Sequence, residues 1–391
     1  MSKIDDLIAE YCPDGVERKP LGAIAKLYRG NGLQKKDFTD KGIGCIHYGQ
    51  IYTRYDTFTS QTISFVDKKL ADKLLKVHPN DLIVTATSEN LEDVCKAVAW
   101  LGGSDIVTGG HSIVVRHHQN AKYLSYYFQT LDFFQRKRAY VHGTKVMEIK
   151  KDDLAKIVVP VPPLPVQEEI VRILDSFSSL EAELEAELEA ELEARRKQYA
   201  YYRNELLTFD RERVQWLKLG EAAFINKGTY ITKKQVIPGN IPVILGGVEP
   251  AYWHSESNHD GEGIVISRSG ANAGFASYWN EPIFVSDGFV LDATPGIDMR
   301  FLFHVLKKQQ AKLHSMKRGS GVPHINSKML ANNVAIPVPP LEEQQHVVSI
   351  LDRFDKLTND LSSGLPAEIE ALRKQYEYYR DRLLSFDELA V

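Results

Sequence analysis

The sequence predicts an α+β protein built twice over: two globular blocks of short strands and Gly-rich turns, separated by two long helices packed as an antiparallel coiled coil, with an internal pseudo-twofold duplication. Three observations predict it. Leu180, Leu184, Leu188 and Leu192 recur every four residues through unbroken Glu-Ala-Glu. Leu357, Leu361, Leu365 and Ile369 stand 177 positions later, one for one. Outside these stretches the period changes to short apolar runs bounded by turn residues, such as Asp81-Leu82-Ile83-Val84 and Ile113-Val114-Val115.

At 391 residues the chain exceeds one ordinary core. Four segments are expected: 1–158 and 211–335 as globular blocks, 159–210 and 336–391 as helical spacers. Residues 1–14 read as a short amphipathic helix with Ile4, Leu7 and Ile8 on one face, ending before Pro13. Strands follow, including Cys45 to Gly49, and then a helical, aromatic-rich patch from Tyr123 to Arg138. Val158-Val159-Pro160 leads into the hinge and the first long helix.

That helix carries its leucines at a strict spacing of four, which advances about 40° per step when a turn holds about 3.6 residues. The apolar stripe must wind, and it needs a partner. The repeat supplies one. Pro160-Val161-Pro162-Pro163-Leu164 returns as Pro337-Val338-Pro339-Pro340-Leu341, Gln167 as Gln344, and Ile173-Leu174-Asp175 as Ile350-Leu351-Asp352. Arg196-Lys197-Gln198-Tyr199 returns as Arg373-Lys374-Gln375-Tyr376, and Tyr201-Tyr202-Arg203 as Tyr378-Tyr379-Arg380. No insertion interrupts this spacing, as two helices side by side require. Ser362-Ser363-Gly364-Leu365-Pro366 is the exception, and Pro366 predicts a kink or a restart with proline in the first turn. The globular blocks repeat too. Leu21-Gly22 becomes Leu219-Gly220 and Gly30 becomes Gly228, an offset of 198 that later shrinks to 177, so the second block is shorter by about twenty residues. One frame with different loops suggests one binding task done twice on different targets.

The net charge of −4 conceals a division. Residues 1–150 and 211–333 each carry +4, while 151–210 carry −7 and 334–391 carry −5. A polyanion could bind the two basic blocks and be repelled by the acidic helices. Cys12, Cys45 and Cys95 form no Cys-x-x-Cys pair, which suits a reducing compartment. The N-terminus shows no apolar signal core, and no apolar run approaches a membrane span, so a soluble, cytoplasmic protein is expected. Chemistry is absent from the motifs. There is no phosphate-binding Gly-x-x-x-x-Gly-Lys loop and no Gly-x-Gly-x-x-Gly turn. Val161-Pro162-Pro163-Leu164 and Val338-Pro339-Pro340-Leu341 lack the polar and aromatic neighbours with which methyltransferases hold a flipped base, so they read as hinges. Adjacent His117 and His118 point to opposite faces of a strand and suit a structural or solvent role better than a metal.

A Pro-x-Pro-Pro-Leu-x-x-Gln hinge, a long helix with a four-residue Leu-Glu-Ala-Glu repeat, an Arg-Lys-Gln-Tyr-x-Tyr-Tyr-Arg ending, and a second set after a variable block resemble the specificity subunit of Type I restriction-modification systems. The opening Cys12-Pro13-Asp14-Gly15-Val16-Glu17, with Leu21-Gly22 after it, is similar as well. The resemblance implies a non-catalytic subunit whose two target recognition domains each read one half of a bipartite double-stranded DNA site. It also implies that the paired helices set the gap and dock two methyltransferase subunits. Restriction (translocase/nuclease) subunits join them, and S-adenosylmethionine, ATP and Mg belong to those partners, leaving no cofactor or metal here. A helix from Val166 to Leu207 would run roughly 60 Å, about 18 base pairs, and one more repeat unit would add ~6 Å. The other reading is a duplicated coiled-coil adaptor that binds proteins, which salt-sensitive duplex binding would separate from the first.

Base edges are read by polar and basic side chains on loops or helices, with Lys and Arg on the rims holding phosphates. In the first block, Lys35, Lys36, Tyr48, Gln50, Arg54, Thr85, Thr87, Ser88, Gly143, Thr144 and Lys145 fit that chemistry. In the second, Trp253, Ser267, Arg268, Ser269, Asn272, Lys317, Arg318 and Ser320 do, the last three aligning with the His142 loop. Tyr202 and Tyr379, with the leucine register, are candidates for the helix-pair or partner interface.

Overall fold

A computed structural model describes residues 3–246, 249–319, 321–359 and 363–389. It divides into two compact units: residues 1–185 with 370–391, and residues 186–369. Each unit therefore holds one globular block and part of both helical segments.

In the first unit a five-stranded sheet runs in the order Ala25–Arg29, Ser112–His117, Leu82–Thr85, Ala97–Trp100, Phe58–Thr59. In the second, Ala223–Lys227, Gly288–Ala293, Gly263–Ser267 and Ala276–Trp279 follow the same order. A second sheet repeats likewise. Ile43–Ile46 pairs antiparallel with Ser64–Val66 and parallel with Ile106–Thr108; Ile241–Ile244 pairs antiparallel with Tyr252–His254 and parallel with Phe284–Val285. The registers show how the offset contracts. It is 198 at the pair Cys45/Val243, 188 at Val66/His254, 182 at Thr85/Ser267 and 176 at Ser112/Gly288, so the second block is trimmed at several turns. Close backbone packing explains two repeated glycines. A Cβ on Gly30 would meet the Gly109 carbonyl at 1.9 Å, and one on Gly228 the Val285 carbonyl at 2.4 Å.

The aromatic patch forms two helices, Ala121–Tyr127 and Leu131–Lys137, the second capped by Thr130 through the Phe133 amide. Their inner faces supply Tyr123, Tyr126, Tyr127 and Phe133 to the main core of the first unit. Met299–Lys308 does the same for the second with Phe301, Leu302 and Leu306.

The hinges are strands. Val158–Pro160 pairs with Arg18–Pro20, and Ala335–Val338 with Gln215–Lys218. A fully buried glutamine follows each. Gln167 accepts from the Asn120 amide and donates to the Pro162 carbonyl and to Gln119; Gln344 accepts from the Asp298 amide and donates to the Pro339 and Gly296 carbonyls. One turn pair further on, an aspartate fixes the helix to its block. Asp175 takes Lys122 at 2.7 Å and Tyr126 at 2.9 Å; Asp352 takes Arg300 at 2.6 Å and His304 Nε2 at 2.6 Å. His304 is fully buried. With its Nε2 proton on the carboxylate, its Nδ1 is free to accept from Tyr199 Oη at 3.2 Å.

The first long helix is Leu164–Leu206. Its partner segment is two helices, Leu341–Asn359 and Leu365–Leu383, restarting with Pro366 in the first turn and the Gly364 carbonyl accepting from the Ala367 and Glu368 amides. Within the first unit Ser178 bonds Tyr376, Phe177 meets Tyr379 and Glu185 meets Arg373. Within the second, Leu192, Leu365 and Ile369 form a small core with Leu188 and Leu357 against it, and Tyr202 stacks on Phe354.

Two of the four leucines on the first long helix depart from expectation. Leu180 is 54% exposed and Leu184 38%, against 9% for Leu192. The cause is the winding stripe: with about 40° of drift per repeat, a face that meets its partner at Leu192 has turned well away by Leu180. Leu361 lies outside the described residues. Tyr202 and Tyr379 remain more than a third exposed, each lying on one aromatic of the opposite segment.

Candidate nucleic-acid interface

The end of each main sheet presents one backbone frame twice. In the first unit the Ala86 amide donates to the His111 carbonyl, and the Ala86 carbonyl accepts from Ile149. In the second the Arg268 amide donates to the Asp287 carbonyl, and the Arg268 carbonyl accepts from Ile325. The hairpin before each hinge follows: His142 exchanges backbone bonds with Glu148, Arg318 with His324. Both hairpins turn on a glycine in left-handed backbone, Gly143 at φ 112° and Gly319 at φ 105°. The aligned loops thus occupy the same place in their units, although Ser320 lies outside the described residues.

Side chains on this frame differ. A cleft of about 360 Å³ in the first unit is lined by Gly32, Leu33, Gln34, Lys35, His47, Tyr48, Gly110 and His111. Lys35 and Lys36 are exposed on a short 3-10 turn held by a reciprocal Gln34–Asp37 cap. Tyr48 lies against both imidazoles, 4.4 Å from His47 and 5.0 Å from His111. His47 Nδ1 accepts from the Gly49 amide, which leaves the proton of the neutral ring on Nε2. Burial, with Lys35 and His111 nearby, pushes the His47 pKa below its ordinary value, so the ring is a neutral donor at pH 7. His111 holds left-handed backbone at φ 66°, with Nδ1 2.9 Å from Thr87 Oγ1. Beside the cleft, Arg29 donates to Glu148 at 2.8 Å and to the Ile149 carbonyl.

The second unit opens a cleft of about 490 Å³ lined by Lys227, Arg268, Ser269, Phe289, Val322, His324, Ile325, Asn326 and Ser327. Lys227 and His324 stand where Arg29 and Glu148 stand in the first, and neither has a side-chain ion pair among the described residues. Arg268 donates through Nε to Asp287 at 2.7 Å, and Ser269 donates to the other carboxylate oxygen.

Several expected readers are not available to DNA. Thr85, Thr87, Ser88 and Ser267 are buried. Thr85 donates to the Asp93 carbonyl and Thr87 serves His111. Their strands are buried on both faces, so a hydroxyl there meets protein rather than a groove. Gln50 is committed to the His47 amide and Ser64. Lys317 is held by the Ala271 carbonyl, beside exposed Asn272. Arg54, Thr144, Lys145 and Arg318 are exposed, as is Trp253 on its edge strand. His111, Lys227, His324 and Asp287 were not singled out by their residue types; the Gly109-Gly110 pair and Gly288, beside two of them, were the available signal. His117 is buried, its Nδ1 accepting from the Gln119 amide and its Nε2 orphaned, and burial lowers its pKa to about 4. A larger cavity of about 850 Å³ in the first unit lies elsewhere, among Tyr52, Phe128, Phe134 and Tyr378, and includes no proposed reader. No helix among the described residues is long and apolar enough to cross a membrane.

Residues 13–194 and 212–371 match the family model described as the Type I restriction modification DNA specificity domain. A protein of Haemophilus influenzae described as a type I restriction enzyme specificity subunit is 34% identical over 78% of this chain and 82% of its own length. A type I restriction enzyme specificity subunit of Escherichia coli is also 34% identical, over 59% of this chain and 63% of its own. A solved structure, described as bearing on complex assembly and conformational transition of the type I R-M system, matches in fold with a TM-score of 0.63 at 19% identity, covering 95% of this chain and 98% of that one.

Proposed function

Because the chain belongs to the family of Type I restriction-modification DNA specificity proteins, we propose that it is the sequence-reading subunit of such a complex, each unit reading one half of a bipartite duplex site. The observation that carries this reading is the pair of clefts on one backbone frame: the same main-chain bonds at Ala86 and Arg268, with different side chains around them. A binder of one repeated target has no use for that difference. A reader of two half-sites does.

The helical segments, on this reading, pair antiparallel as a coiled coil, set the gap between half-sites and dock two methyltransferase subunits, with restriction subunits joining. Opposed contacts inside each unit support the pairing, since residue numbers rise along one segment as they fall along the other. The chain itself would hold no cofactor: methyl transfer from S-adenosylmethionine, and the ATP and Mg chemistry, would sit on partners. Lys35, Lys36, Lys145, Arg318 and Lys227 would hold phosphates.

Methylation mapping tests this. A host expressing the chain with its methyltransferase partner should gain a motif of two short half-sites with a fixed gap, absent from the same host lacking the chain. Identical methylation in both hosts, together with no salt-sensitive duplex binding by the purified complex, would refute it.

A further inference from the structure

We propose that Arg268 reads a guanine in the half-site of the second unit, with Asp287 as the residue that positions it. The inference rests on the DNA-reading function above and deepens it by assigning a base to a side chain.

The geometry is that of a braced fork. Arg268 is fixed by its backbone on both sides, to Asp287 and Ile325. Its Nε donates to one oxygen of Asp287 while Ser269 donates to the other, so the carboxylate is held at both ends. The two terminal nitrogens have no partner among the described residues, and the side chain lines the open cleft at 37% exposure. A guanidinium engaged through Nε keeps both terminal groups in one plane, spaced to meet two adjacent acceptors. On a DNA base, guanine offers that pair in the major groove through O6 and N7.

A structural role would account for the ion pair equally well if the fold required it. The first unit says it does not. Ala86 makes the same two backbone bonds with His111 opposite, so the frame closes without an arginine or a carboxylate there. The pair is therefore an addition of the second unit, in a cleft whose other polar side chains are Lys227, Ser269, His324, Asn326 and Ser327.

Phosphate is the other bearer of two adjacent acceptors, and the test separates them. The full-length chain, assembled with its methyltransferase subunits, is offered duplexes randomised in both half-sites, and relative affinities are read position by position. The wild-type complex should show one G·C pair in one half-site whose replacement weakens binding about tenfold or more. Arg268→Ala should level preference at that pair while leaving the other positions unchanged, and Arg268→Lys should fail to restore it, because a point charge lacks the fork. Asp287→Asn should give a partial loss at the same pair. A uniform loss over all duplexes, restored by lysine, would mean a phosphate contact and overturn the assignment while leaving the DNA reading intact. Preferences of Arg268→Ala identical to wild type would overturn it too. No salt-sensitive duplex binding by the wild-type complex would instead remove the reading on which it rests. Ala86 at the equivalent place indicates that Arg268→Ala folds.

Discussion

Gln167 and Gln344 sit under their hinges with three hydrogen bonds each, two of them matched, from a main-chain amide and to a proline carbonyl, and Asp175 and Asp352 each take a cation and a ring from the helix above. In the clefts, Ala86 of the first unit corresponds to Arg268 of the second, His111 to Asp287 and Glu148 to His324, on an equally faithful backbone. The anchors kept their chemistry and the clefts exchanged theirs. An anchor must satisfy the same main-chain amide and proline carbonyl in both units, so few residues serve. A cleft residue answers only to whatever enters, so it is free to differ once the backbone beneath it is closed.

The sharpest test of the anchor half is to remove a buried glutamine. Gln344→Leu leaves the buried Pro339 carbonyl and the partly buried Asp298 amide without their partner, while the Gly296 carbonyl belongs to an exposed residue that water can serve. An unpaired buried group costs about 1–3 kcal/mol, so a loss of about 2 kcal/mol is expected in urea unfolding. Gln167→Leu should cost about as much. A large loss for one and none for the other would end the claim that the two hinges are equivalent.

Within the helical segments the comparison is between Leu192 and Leu180. Leu192→Ala removes a buried side chain from the cluster with Leu365 and Ile369 and should cost about 2 kcal/mol. Leu180→Ala, at an exposed position, should stay within about 0.5 kcal/mol. Equal losses would indicate that the upper stripe is covered by something, and adding a methyltransferase subunit before repeating the melt would identify that cover.

Lys35→Ala tests the cleft half with a smaller effect. Lys35 has no ion pair among the described residues, and its loss should weaken duplex binding alike for all sequences while lowering the salt slope by about 0.9. A change confined to particular bases would move Lys35 from phosphate holder to reader.

The duplication was legible because it needs only spacing: the hinge, Gln167, Asp175 and the Tyr-Tyr-Arg ending can be matched to their copies without knowing where they point. The break at Pro366 was legible for the same reason, since proline acts on its own backbone. The clefts were not. Arg29 reaches Glu148 and Thr87 reaches His111 only because sheet order places distant strands side by side, and nothing in a run of residue types announces that order. Thr85 and Ser267 misled for a related reason: polarity suggests a surface, yet both sit on strands buried on both faces, where the Thr85 hydroxyl is satisfied by the Asp93 carbonyl. Leu180 misled because the repeat is perfect in sequence and imperfect on a helix.

The last asymmetry lies at the first anchor alone. Glu169 accepts from Arg172 and from Lys3, tying the N-terminal helix Lys3–Tyr11 to the long helix, and its repeat position is His346, so the second unit has no such tie. Hydrogen bonds from Arg172 and Lys3 hold the Glu169 carboxyl at about 2, against an ordinary 4.5. A folded value below the unfolded one means the contribution is complete above about 4.5 and is lost as pH falls towards 2. Both cations are more than half exposed, so solvent screening limits the contribution to about 1 kcal/mol at neutral pH. Glu169→Gln should therefore lower stability slightly at pH 7, and the difference from wild type should shrink as pH falls below about 4. Hydrogen exchange along residues 3–11 is the measurement, because it reports release of this helix separately from unfolding of either core. A difference that persists unchanged at pH 2.5 would show that Glu169 acts through packing, and the acid response would then no longer distinguish the first unit from the second.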